Sequence, residues 1–135
     1  DSNIRISLSE ELRTLDYSQR LRDNSRAALA TREKSTGRRL FDQICAGGAK
    51  AAGRTCGAVK KGNWADLMVL DGAHVDLEGR TGDDLLDCYI FAGDDGMVSD
   101  VWSAGRHLVE LGHHKQRPAI ENAYRAAMRR LREAI

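Results

Sequence analysis

Carboxylates, imidazoles and thiols are the groups in this chain that could bind a metal or move protons, and their spacing separates them. Asp66 and Asp71 suggest paired acids, but they are an odd number of residues apart. In a strand that sends them to opposite faces, so each is expected to bond a neighbouring turn. The four histidines are His74, His107, His113 and His114. Adjacent side chains diverge, so His113 and His114, followed by Lys115, read as a solvated loop. Cys45, Cys56 and Cys88 are an odd number with no C-x-x-C pair, a pattern of reduced thiols in a cytoplasm. Gly93-Asp94-Asp95-Gly96 is too short for a twelve-residue calcium loop and reads as a turn. By spacing alone, Asp1 is a terminal carboxylate without a partner.

The rest of the composition narrows the class. Of 135 residues, 41% are hydrophobic and 30% charged, and the formal net charge is +1. This is the make-up of an ordinary globular domain, with no bulk electrostatic pull toward nucleic acid or an anionic membrane. Arg125, Arg129, Arg130 and Arg132 lack interleaved aromatics, so they read as a solvated or subunit-facing helix side. No apolar run reaches the roughly 18 residues of a membrane span. No secretory signal opens the chain, and a start at Asp1 is expected to be a cut point. A (β/α)₈ barrel needs about 250 residues, more than are present.

The elements that would hold these groups follow from periodicity. Ser7-Leu8-Ser9-Glu10 is a capping box, and Leu8, Leu12 and Leu15 follow at helical spacing to about Arg22. Residues 24–35 read as a short helix or loop. Thr36 is expected to cap a second helix with Leu40, Phe41, Ile44 and Cys45 as its stripe and Gly53 as its stop. Gly47 and Gly48 cost helix stability, about 1 kcal/mol each relative to alanine, and suggest close approach to another backbone. Residues 62–71 read as a turn and then a strand apolar on both faces, hence buried on both sides. Residues 83–91 read as a short helix. Met97–Ser103 and Arg106–Leu111 form a hairpin closed by Ala104-Gly105. Residues 118–135 form an amphipathic helix with Ile120, Tyr124, Ala127, Leu131 and Ile135 on one stripe and Pro118 in its first turn. Trp64 and Trp102 are expected to pack between sheet and helix.

Two segments in order, Gly62-x-x-Ala65-Asp66-Leu67-x-x-Leu70-Asp71 and Val98-x-x-Val101-Trp102-x-x-Gly105-Arg106-x-Leu108-Val109-x-x-Gly112, resemble the end of many amidohydrolases. A finer set carries a closer likeness. It comprises Asp1-Ser2-Asn3, Ile6-Ser7-Leu8-x-Glu10-Glu11-Leu12-Arg13-x-Leu15-x-Tyr17-x-Gln19-Arg20-Leu21-Arg22, Thr36-Gly37-Arg38-x-Leu40-Phe41 and Gly47-Gly48-Ala49. It ends with Gly79-Arg80, Asp84-Leu85-Leu86-Asp87 and Ile90-Phe91-Ala92-Gly93. Together they resemble the formimidoylglutamate deiminase family.

That resemblance implies an α/β fold. It would be the carboxy-terminal piece of an amidohydrolase (β/α)₈ barrel plus a small composite β-sandwich domain. Residues 1–56 would end the barrel, 57–112 would supply strands and a short helix of the β-domain, and 113–135 the last helix. It implies a cytoplasmic homodimer that converts N-formimidoyl-L-glutamate to N-formyl-L-glutamate and ammonia in histidine degradation. Asp1 matches the aspartate ending the eighth barrel strand, and so is the implied metal ligand and catalytic proton acceptor. Ser2 and Asn3 read as loop residues, with lining of the pocket mouth as the alternative. The metal would be divalent, zinc by the resemblance. Its histidine ligands and the substrate-binding residues would come from an amino-terminal part of the same enzyme lying outside this chain. Two other readings stand beside this one: a different amidohydrolase deaminase acting on guanine or a related ring, and a non-catalytic helical and β binding module.

Overall fold

The structure, a computed structural model, describes residues 4–134. The expected elements are present in mixed order: helices α1 (Leu8–Asp23), α2 (Thr36–Ala51), α3 (Gly82–Phe91) and α4 (Arg117–Glu133), with strands β1 (Leu67–Leu70), β2 (Val98–Ser103), β3 (Arg106–Glu110) and β4 (His113–His114). The strands form one antiparallel sheet in the order β1-β2-β3-β4.

Local chemistry explains the boundaries. Ser7 caps α1 by accepting from the Glu10 amide, while the Glu10 carboxylate turns to Arg5 at 3.2 Å. Residues 24–35 form no helix. The cap of α2 is Ser35 rather than the expected Thr36; the Ser35 hydroxyl accepts from the Arg38 amide at 3.1 Å. Gly53, at φ +61°, stands just beyond the end of α2 as expected. Ala104 and Gly105 both have positive φ, 52° and 76°, the pair of values that a two-residue type I′ hairpin needs. An alanine is strained there. Two bonds hold it: the Ala104 amide donates to Asp66 Oδ1 at 2.7 Å, and the Gly105 amide to the Ala65 carbonyl at 2.9 Å.

The core gathers around α3. Tyr89 and Ile90 are buried there with Leu12 of α1, Leu40 of α2, Leu77 and Met97; Met68, Leu70 and Val98 of the sheet pack against them. Helix α2 meets α3 closely at Gly37, where a Cβ would come within 2.9 Å of the Asp87 amide nitrogen. That is the close approach the sequence suggests, but at a different glycine. Gly47 and Gly48 face open space.

Several apolar faces differ from expectation. The buried side of α1 is Ser9, Leu12 and Asp16, while Leu8 and Leu15 are exposed. Strand β1 is covered on one side only. Met68 and Leu70 face the core, whereas Leu67 and Val69 are 37% and 42% exposed. Trp64 is exposed beneath the Arg54 guanidinium, 4.8 Å from the ring centre, rather than packed in the core. His113 and His114 form a short edge strand on β3, not a loop. The stripe of α4 is unpartnered among the described residues: Ile120, Tyr124 and Leu131 are exposed, and the helix buries no side chain. No helix of the described residues is long and apolar enough to cross a membrane.

Candidate functional site

Asp1, the expected ligand and proton acceptor, lies outside the described residues, as do Ser2 and Asn3. The structure does describe the anchor that follows them. Ser7 is buried and donates through its hydroxyl to Asp95 Oδ1 at 3.0 Å. Asp95 sits in the short 3-10 turn between α3 and β2, whose own cap is Asp94, accepting from the Gly96 amide at 2.7 Å. The Gly-Asp-Asp-Gly stretch is thus a turn, as read from sequence, with one carboxylate spent on the turn and the other on Ser7.

A second anchor lies nearly two turns along α1. Arg13 donates from Nε to the Ile90 carbonyl at 2.9 Å and from Nη2 to the Gly93 carbonyl at 2.6 Å. The Ile90 carbonyl is among those left unbonded at a helix C-terminus and Gly93 lies just past the cap Ala92, so one guanidinium both caps α3 and fixes α1 to it. Further on, Asp16 is fully buried and Arg20 Nε lies 2.6 Å from it. Neither Asp16 oxygen receives an aligned hydrogen bond, so this is a charge contact. The Arg20 guanidinium also covers the rings of Tyr17 and Phe91, at 5.3 and 5.4 Å.

The opening of α2 is held in the same way by two carboxylates of α3. Asp87 Oδ1 accepts from the Ser35 hydroxyl at 3.0 Å and the Gly37 amide at 2.6 Å. Asp83 accepts from the Ser35 amide at 3.2 Å and from Arg38 Nε at 2.8 Å. Negative charge beside a helix N-terminus is favourable in itself. The Arg38 guanidinium, then the Ser35 amide, hold the Asp83 carboxyl below its ordinary range. Because the folded-state value is lowered, this stabilisation is complete above the ordinary carboxylate pKa and is lost as pH falls through the lowered one. Thermal midpoints of the wild type and Asp83→Asn are therefore expected to differ near neutral pH and converge in acid. A gap that stays constant with pH would show that the charge contributes nothing.

The other sequence candidates disperse. Among the described residues, no three His, Cys, Asp or Glu side chains converge so as to hold a metal ion. The described part of the chain does not fit a metal site by itself. Among the described residues, the one imidazole–carboxylate pair of hydrogen-bonding length is His107 Nε2 to Asp100 Oδ1, 2.7 Å, on the sheet. Its ring stacks on Trp102, 4.2 Å between centres and 8° from parallel. Lys115 Nζ occupies the other nitrogen at 3.2 Å. With both nitrogens engaged, this pair has no free site from which to act as a general base. The Ser99 hydroxyl and then His107 hold the Asp100 carboxyl below its ordinary range. Burial, then Asp95 and Asp94, push the Tyr89 phenol up to about 12, which keeps it a neutral core group.

Between α2 and the sheet lies a largely apolar cleft of about 690 Å³, lined by Phe41, Cys45, Val59, Leu67, Met68 and Trp102 among others. Burial, Asp42 and Cys56 raise the Cys45 thiol, which leaves it poor as a nucleophile. Asp66 bonds the hairpin turn and Asp71 accepts from the Ala73 amide at 2.9 Å, the turn-bonding roles expected for both. The anchors Arg13, Asp83, Asp87 and Asp95 carry no local signal in the sequence. Their partners are 45 to 88 residues away.

Comparison with known proteins adds what this geometry lacks. No family model matches the chain. It is 46% identical over 115 residues to the formimidoylglutamate deiminase of Pseudomonas aeruginosa; the match takes in 84% of this chain and 25% of that protein. Its fold matches the crystal structure of an amidohydrolase from Brucella melitensis with a TM-score of 0.85 and 44% identity, over 97% of this chain and 29% of the other. It also matches an adenosine deaminase from Xanthomonas campestris, solved with bound zinc, with a TM-score of 0.72 and 24% identity, over 91% of this chain and 27% of that one; at that identity the likeness is one of fold. The chain spans about a quarter of the length of these proteins, which are enzymes of the hydrolase class.

Proposed function

Because the chain resembles a formimidoylglutamate deiminase among the amidohydrolases, we propose that it is the carboxy-terminal part of such an enzyme. The parent would hydrolyse N-formimidoyl-L-glutamate to N-formyl-L-glutamate and ammonia, as a cytoplasmic homodimer. The observation that carries this is the 46% identity over 115 residues to the Pseudomonas deiminase. Residues 1–56 would close a (β/α)₈ barrel, 57–112 would form most of a small β-sandwich domain and 113–135 its last helix.

The open apolar faces support the reading of a part. Leu8, Leu15 and Leu21 on α1, Leu67 and Val69 on β1, and Ile120, Tyr124 and Leu131 on α4 are all exposed. Apolar surface on that scale marks an interface, and in this reading the amino-terminal part of the same enzyme covers much of it. Strand β1 ends the sheet, so its outer edge is free to pair with a further strand from that part.

In this reading Asp1 is both a ligand and the catalytic proton acceptor. The divalent metal, zinc, takes its other ligands from polypeptide outside residues 1–135. A bound metal of this kind supplies a water of lowered pKa. The anchors at Ser7 and Arg13 fix the segment that leads away from Asp1.

The test is ammonia release by the longer polypeptide that carries these residues. Release from N-formimidoyl-L-glutamate that a chelator stops is the expected result. Release only from guanine or another ring would reassign the enzyme to a different amidohydrolase deaminase. No hydrolysis of either, together with cooperative folding of residues 1–135 as a monomer, would favour a binding module.

A further inference from the structure

Helix α4 carries an apolar stripe with no cover. Ile120, Tyr124, Ala127, Leu131 and Ala134 stand four, three, four and three residues apart. That spacing averages about 3.5 residues, the repeat of a helix seam that packs against a second helix. Ile120, Tyr124 and Leu131 are exposed, and the helix buries no side chain among the described residues. Glu121 flanks the stripe on one side, with Arg117 at 2.7 Å and Arg125 at 4.0 Å from its carboxylate. Arg132 flanks the same side and makes no ion pair among the described residues.

We propose that α4 docks against α4 of a second copy of this chain, antiparallel, about a two-fold axis that passes between Tyr124 and Ala127. The stripe is complementary to itself in that orientation. Ile120 then faces Leu131 of the copy, and Tyr124 faces Ala127, so a large ring meets a small side chain in both central layers. The two-fold axis repeats each contact in the other direction. A parallel pairing would bring like positions together, Tyr124 on Tyr124 and Ala127 on Ala127. One layer would be crowded and the next hollow, against the close packing that such contacts need.

Charge selects the same partner and the same direction. In the antiparallel pair Glu121 comes beside Arg132 of the copy, because both stand on one flank of the stripe and within a turn of each other across the axis. The symmetry makes two such pairs. In a parallel pair the same two groups would be eleven residues, or about 16 Å, out of step. Arg130 and Arg132 would then lie abreast of their own copies. The seam is about 25 Å long on a helix about 10 Å across, less than the about 800 Å² that a standard interface buries on each partner. The pairing is therefore reversible and set by concentration, and in dilute solution α4 stands bare. This inference goes beyond the deiminase reading and does not rest on it, although it names a face for the homodimer proposed there. The apolar faces of α1 and β1 are left to the amino-terminal part.

The measurement is sedimentation equilibrium, over a range of concentrations, on the polypeptide that carries these residues. The wild type is expected to show a reversible monomer–dimer equilibrium. Glu121→Arg alone, or Arg132→Glu alone, sets like charges against each other at two exposed pairs and should raise the dimer Kd about tenfold. An equimolar mixture of the two variants matches opposite charges again and should restore the wild-type Kd, which no rearrangement within one chain can do. Leu131→Ala removes apolar area from the seam and should also raise the Kd about tenfold, with helical circular dichroism unchanged. A wild type that stays monomeric, a Kd that ignores all three substitutions, or a mixture no tighter than either variant overturns the proposal. Ammonia release is read separately and tests the deiminase reading alone.

Discussion

In the proposed parent deiminase, replacing Asp1 with alanine is expected to lower ammonia release by about 10²- to 10⁴-fold, the usual contribution of a positioned acid–base group. Asp1→Asn is the sharper variant, because it keeps the size and one oxygen but cannot take up the proton. Its loss should fall on kcat, with KM changed little, as for an interaction made only in the transition state. His107→Gln provides the contrast. That ring has both nitrogens engaged, by Asp100 and Lys115, and its replacement should leave kcat unchanged. Full activity in Asp1→Asn would remove the carboxylate from the mechanism and with it the assignment of the first residue as a ligand.

The largest effect on stability is expected at Ile90. It is fully buried, with 0% exposure, in the helix around which the core is built. Ile90→Ala should cost about 2–5 kcal/mol, combining lost transfer free energy with the cavity left behind. The Ile90 carbonyl also receives Arg13 Nε, so a shift of α3 toward the cavity would disturb the anchor of α1. Ile120→Ala on α4 is the matching control: that side chain is 53% exposed, and its loss should fall within about 0.5 kcal/mol. Denaturant midpoints at unchanged slope would read both differences. Equal costs at the two positions would mean that α4 is buried in solution.

The two effects test different links. The first concerns chemistry that, in the proposed function, depends on polypeptide outside this chain. The second concerns packing that residues 4–134 supply themselves. A variant at Ile90 that lowers activity only in proportion to the folded fraction would show that the core acts on the site through stability alone.

The sequence by itself determined what is local. A hydroxyl at Ser7 three residues before Glu10 sets the start of α1, because a cap depends only on neighbours within a turn. Gly105 marks the hairpin locally too, although Asp66 and Ala65 hold that turn from across the sheet. The ligand role of Asp1 is not of that kind: it rests on resemblance to a family, and the residue lies outside the described ones. Tertiary structure alone decided which faces are covered. Periodicity marks Leu8, Leu12 and Leu15 as one stripe, yet α1 presents Ser9, Leu12 and Asp16 to α3, since a helix buries the side on which its neighbours happen to lie. The close approach of two backbones fell at Gly37 rather than Gly47 or Gly48 for the same reason. The bonds that hold the helices together, from Ser7 to Asp95 and from Arg13 to the end of α3, join groups 77 or more residues apart. Spacing along a chain carries no information about such pairs until folding brings them within reach.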